Sequence, residues 1–194
     1  MSNLTLTDDD FQAAAATLGC SVEAVKAVAI TETSGGGFNP DGTPKTLFEG
    51  HLFSGFTGHQ YDETHPRISY LHWTKEFYGH NWEEEQARLE SAKALDEEAA
   101  LKSASWGMFQ ILGENFKECG YENVNDFVTA MSEGAGAQLN AFVQFVIHKH
   151  LADELQNLDW ADFAKVYNGP GQVAVYADHM GKAYAKAQAE DGTA

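Results

Sequence analysis

The chain has 194 residues, enough for one domain with a full hydrophobic core. Twelve Lys and Arg stand against 29 Asp and Glu, a net charge of −17. That balance argues against attraction to nucleic acid or to an anionic membrane surface.

Residues Met1 to Asp10 show no basic stretch followed by an apolar one, so no signal peptide is read there. No run approaches the roughly 18 apolar residues of a membrane span. The expectation is a soluble protein made in the cytoplasm, which needs another agent to let it out if it acts outside. Thr7 ahead of Asp8, Asp9 and Asp10 predicts a helix start, with the acids complementing the helix dipole. Phe11, Ala14, Ala15 and Leu18 form its apolar stripe, and Gly19 stops it. Ser21 caps a second helix that runs to about Glu32. Val25, Val28 and Ala29 lie at i, i+3 and i+4, which puts Glu32, at i+7, on the same buried face. A carboxyl there tends to stay protonated, as a general acid must. The alternative is a structural carboxyl paired with a lysine or a backbone amide.

Gly35, Gly36 and Gly37 break the helix. Residues 38–66 read as irregular, with turn chemistry from Asn39 to Pro44. One short strand is predicted at Thr46 to Glu49, in which Glu49 shares a face with Leu47 and His51. Nine aromatics and five of the eight histidines fall between Phe48 and Trp82. Such a segment is too aromatic for a linker, and rings with polar edges suit sugar faces. Packing the segment down is the plainer role for most of them.

Asn81 caps a charged helical run to about Ser103, with a second N-cap at Asp96 and a buried side of Leu89, Ala92, Ala99 and Ala100. Trp106 to Leu112 is apolar except for Gln110, which needs partners if buried. Asn125 begins the next helix. Leu139, Phe142, Val143, Val146 and Ile147 then give the cleanest helical period, expected as the buried central helix. Asp159 caps Trp160 to Tyr167, Asn168 to Gly171 ends that helix, and Val173 to Ala187 marks the last one. The fold class expected is all-α, mainly helical and α+β in the lysozyme-like manner. About eight or nine helices surround a central one, with one short irregular or β segment near residues 38–66. A single domain is expected over residues 1–190, with a frayed tail at 191–194. Cys20 and Cys119 form neither a disulfide framework nor a CxxC motif and are expected as buried free thiols. No metal and no cofactor is expected, because the histidines lack ligand spacing and no HExxH motif is present.

Three stretches carry a resemblance. Glu32-Thr33-Ser34-Gly35, Ser105-Trp106-Gly107-Met108-Phe109-Gln110-Ile111 and Val166-Tyr167-Asn168-Gly169 are similar to the signatures of the lysozyme-like superfamily, which includes goose-type lysozymes and lytic transglycosylases. With Leu47 to Phe53, Ala99 to Ile111 and Tyr167 to Gly171, the chain more closely resembles the phage endolysin N-acetylmuramidase family, from about residue 7 to residue 188. It departs in reading Glu-Thr-Ser where relatives often read Glu-Ser, and Gly50 where they often carry Arg.

The resemblance implies a peptidoglycan hydrolase that cleaves between N-acetylmuramic acid and N-acetylglucosamine. Its partner is the peptidoglycan glycan strand. It needs no nucleic acid and no membrane insertion, and it works as a monomer. Glu32 is the implied general acid. Glu49 is the best candidate for a base that activates water, at roughly 6.5–9.5 Å from Glu32 if the reaction inverts. A salt bridge or a cap is its structural alternative. Asp62 and Glu63 are poorer candidates, expected in an exposed turn. Ser105, Gln110, Tyr167 and Asn168 are assigned to holding sugars and fixing the acid, with a core role as the alternative for Tyr167. His51 is a candidate to tune Glu49. Three other functions compete: a lytic transglycosylase with the same acid and no water, a zinc amidase, and a non-catalytic wall-binding or virion structural protein.

Overall fold

The computed structural model describes residues 4–34 and 36–191. Gly35, first of the three helix-breaking glycines, and the end of the predicted frayed tail, residues 192–194, lie outside them. Among the described residues the chain forms ten α-helices and a three-stranded antiparallel sheet.

Local chemistry sets the helix ends. Thr7 starts α1 (Asp8–Leu18) with a capping box: its hydroxyl accepts from the Asp10 amide, and the Asp10 carboxylate accepts from the Thr7 amide. Gly19 closes the helix at φ 69°, which an L side chain tolerates poorly. Ser21 caps α2 (Val22–Thr33), whose Val25, Val28 and Ala29 are fully buried. Asn81 caps α4 (Trp82–Lys93) and Asp96 caps α5 (Glu97–Lys102), so the predicted break is real.

The segment between α2 and α4 departs from expectation. Strand β1 (Thr46–Phe48) ends before Glu49, and α3 (Gly50–Phe56) begins at once. Glu49 and His51 therefore share no strand face. Glu49 is the N-cap residue of α3, although its side chain makes no capping bond. Gly50 allows this turn, because a Cβ there would lie 2.3 Å from Cε1 of Tyr70. Phe53 and Ser54 then point inward and are fully buried.

Two strands went unpredicted. β2 (Ala104–Trp106) pairs with β1, placing Leu47 opposite Ser105, and β3 (Ile111–Leu112) pairs with β2. The loop between them, 107–110, turns on positive φ at Gly107 and Gln110.

α6 (Val124–Glu133) starts from Asn123, two residues before the predicted Asn125. α7 (Ala135–His148) is the buried helix, with Leu139, Phe142, Val143 and Val146 in the core. Its Ile147 is 44% exposed, contrary to the period. α8 (Ala152–Asn157) was not predicted. α9 (Trp160–Tyr167), capped by Asp159, and α10 (Val173–Asp191) were. α10 packs chiefly on α2 and α9.

Gln138 of α7 is fully buried and straps this core to the sheet. It accepts from the Met108 amide at 2.7 Å and donates to the Met131 carbonyl at 2.8 Å. A Cβ at Gly37 or Gly107 would collide with it, so both glycines make room for the strap. Cys119 is buried and Cys20 half-buried, and both are free. No single helix among the described residues is long and apolar enough to cross a membrane.

Candidate active site

The last turn of α2 delivers Glu32 to the floor of a groove. Its apolar face is buried, so the carboxyl loses water, and a helix C-terminus offers a carboxylate no compensation. Burial pushes its pKa up to about 7, against the pull of one hydrogen bond from Asn168. That bond runs from Asn168 Nδ2 to Glu32 Oε1 at 2.8 Å. Asn168 is placed by the C-cap of α9. Its own Oδ1 is buried without a partner, leaving an acceptor for a sugar hydroxyl or amide.

Three elements meet behind the acid. Thr33 donates to the Met108 carbonyl at 2.9 Å, which ties the end of α2 to the β2–β3 loop. Tyr167 donates to the Phe109 carbonyl at 2.7 Å, which ties α9 to the same loop. The Tyr167 ring stacks on Phe163 at 5.1 Å and meets Phe142 and Phe145 edge-on. Gln110 donates to the carbonyls of Gly107 at 2.9 Å and Lys45 at 3.4 Å. Its amide nitrogen therefore holds the loop while the side chain lines the groove.

Glu49 lines the same cavity as Glu32. The Tyr78 hydroxyl donates to its Oε1 at 2.7 Å. His51 Nδ1 lies 3.3 Å from its Oε2, close enough to pair but not aligned as a hydrogen bond, so both atoms remain buried and unsatisfied. Burial, and then the Glu49 contact, raises the Tyr78 pKa, so the phenol remains a donor.

Of the residues singled out from the sequence, seven, Glu32, Glu49, His51, Ser105, Gln110, Tyr167 and Asn168, line one cavity of about 420 Å³. A second cavity, of about 610 Å³, adjoins it through Glu32, Leu47 and Gln110. A third, of about 730 Å³, adjoins it through Leu47, Glu49, Trp73, Asn168 and Tyr176. The three form a continuous groove with the two carboxyls in its central part. The Tyr176 hydroxyl on α10 is raised first by burial and then by Glu32 and Glu49 together, so it lies within reach of both charges.

Asp62 lies in a turn, as expected, but its side chain is half-buried rather than exposed. Its carboxylate accepts from Ser54 at 2.9 Å and from Ser69, and it does not line these three cavities. Glu63 is exposed. Tyr78, Trp73, Leu47 and Tyr176 line the groove and were not singled out. Tyr78 and Trp73 had been noted only among the aromatics of their segment. No three of His, Cys, Asp and Glu among the described residues come together as metal ligands.

The three adjoining cavities together give room for more than one sugar unit. The groove pairs an acid that exchanges its proton near pH 7 with a second carboxylate in the same cavity. That arrangement can protonate a leaving oxygen and activate a water.

The sequence profile described as N-acetylmuramidase matches residues 21–188. Among solved structures, the crystal structure of a Burkholderia AP3 phage endolysin is similar at 35% identity and a TM-score of 0.82. The match covers 97% of this chain and 72% of that one. A search of curated proteins finds no match.

Proposed function

Because the chain belongs to the N-acetylmuramidase family, a family of peptidoglycan-cleaving enzymes, we propose that it is an endolysin hydrolysing the bond between N-acetylmuramic acid and N-acetylglucosamine. Glu32 is the general acid and Glu49 the general base. One observation carries this reading: a carboxyl poised by burial near pH 7 lines the same cavity as a second, hydrogen-bonded carboxylate.

Glu32 gives its proton to the glycosidic oxygen while Asn168 holds the carboxyl in place. Positive charge develops at the anomeric carbon as the bond breaks. Glu49, held at Oε1 by Tyr78 and faced at Oε2 by His51, takes a proton from a water as the water attacks. Ser105, Gln110 and the free Oδ1 of Asn168 hold hydroxyl and N-acetyl groups. Tyr167 keeps the loop that carries Gln110 in register, and His51 steadies Glu49. In this reading the protein works as a monomer on glycan strands, made in the host cytoplasm and released to the wall.

Mass spectrometry of digested peptidoglycan tests the reaction type. Reducing muramic acid ends are expected. Ends closed as 1,6-anhydro sugars mean that no water attacks, and would make the protein a lytic transglycosylase with no role for Glu49 as base.

A further inference from the structure

Glu49 and Tyr78 are 29 residues apart and meet at the groove, and a single ion pair on α4 fastens the backbone beside each of them. Glu85 is only 5% exposed although it is a carboxylate. Its Oε1 accepts from the Phe48 amide at 2.8 Å, and its Oε2 accepts from the Gly79 amide at 2.8 Å. Arg88, one turn on, donates from Nη1 to Glu85 Oε1 at 2.6 Å and to the Phe48 carbonyl at 3.3 Å. Phe48 immediately precedes Glu49, and Gly79 immediately follows Tyr78. The Arg88 guanidinium also lies 5.3 Å from the Phe48 ring centroid and 5.7 Å from that of Tyr78.

On the other side, Tyr70 packs against the backbone of Gly50, the residue after Glu49, and against Phe77, the residue before Tyr78. The peptides on both sides of the Glu49–Tyr78 contact are thus immobilised. Burying an ion pair is costly, and a well-packed apolar pair of similar volume often does as well for stability. What an apolar pair does not supply is hydrogen bonds to three separate backbone groups in the two segments that carry the carboxylate and its phenol.

We propose that Glu85, Arg88 and Tyr78 are positioning residues for Glu49: the ion pair sets the two backbones, and the phenol fixes the carboxylate through one of its oxygens. This rests on the assignment of Glu49 as the base. Misplacing a reacting group by about 1 Å can cost roughly 10²-fold in rate, so a partial loss of positioning is visible in turnover.

The test is steady-state kinetics on soluble glycan-strand oligomers, with Tyr78→Phe and Arg88→Lys made alone and together with Glu49→Gln. Each single variant is expected to lower kcat roughly tenfold with KM changed less than about twofold. Neither is expected to lower kcat further once Glu49 is Gln, because both act through its carboxylate. Losses that multiply in the double variants, losses carried by KM, or unchanged kcat in Tyr78→Phe would overturn the proposal. Tyr78→Phe keeps the groove shape, so the test stands if Arg88→Lys fails to fold. Wild-type turnover in Glu49→Gln alone would remove the base assignment and the positioning role together. A dead Glu49→Gln beside an unimpaired Tyr78→Phe would remove only the positioning role.

Discussion

The two walls of the groove hold the same functional group in different ways. On the Glu32 wall the carboxyl ends an apolar helix and receives one neutral amide, so burial dominates and the proton is retained to about pH 7. On the Glu49 side the carboxylate sits at the N-cap of α3, bonded by a phenol and faced by an imidazole. Each carboxyl receives one hydrogen bond, from an amide on one side and from a phenol on the other. In the proposed mechanism it is burial that marks Glu32 as the proton donor.

The largest expected effects come from removing each carboxyl. Glu32→Gln should lower kcat by about 10²–10⁴-fold, the usual share of general acid catalysis, with wall binding kept. The same change should stabilise the fold at pH 8. Raised from 4.5 to about 7, Glu32 binds more protons folded than unfolded. Stability is therefore whole below pH 4.5 and falls as pH rises to about 7, by about 3 kcal/mol at the plateau. Thermal melts of both proteins at pH 4 and pH 8 measure this: the wild type should lose stability across that range relative to Glu32→Gln. Equal slopes would mean that the acid is not buried at a cost.

Glu49→Gln should also lower kcat, by roughly 10²-fold or more. It should leave the alkaline limb of the pH–rate profile in place, because that limb belongs to Glu32. A shared shift of that limb would join the two walls into one titrating unit.

A smaller change is expected from Asn168→Ala. Its amide favours the charged form of Glu32, so removing it should move the alkaline limb upward by about one pH unit or less, the worth of one hydrogen bond to a charged group. An unmoved limb would show that Asn168 serves only to place sugars.

The smallest effect concerns the surface. A net charge of −17 predicts repulsion by acidic wall polymers, which salt would screen. Wall lysis should rise a few-fold between about 10 and 100 mM salt. A flat or falling profile would mean that groove cations offset the repulsion.

The Glu32 wall was the legible one. Ser21 and Asp159 announced their helices, the period of Val25, Val28 and Ala29 pointed Glu32 inward, and the Gln110 and Tyr167-Asn168 stretches resembled known signatures. Each of those signals lies within about ten residues of its neighbours. The Glu49 wall was legible only in part. Glu49 and His51 were singled out, but on a strand that stops at Phe48, since Gly50 and Gly55 concealed a seven-residue helix. Strands of two and three residues are too short for alternation to show, so β2 and β3 were invisible. The bracing of Glu49 was invisible for another reason. Tyr78 meets it across 29 positions and Glu85 meets Phe48 across 37, and no local pattern encodes such a meeting.

The most direct measurement is the titration of Glu32 itself, followed by carbon NMR of selectively labelled glutamate, with Glu32→Gln assigning the resonance. A carboxyl that titrates near pH 7, matched by an alkaline limb of kcat/KM at the same pH, is expected of the proton donor. A carboxyl that titrates near 4.5 would be ionised throughout the working range, and Glu32 would not be the acid.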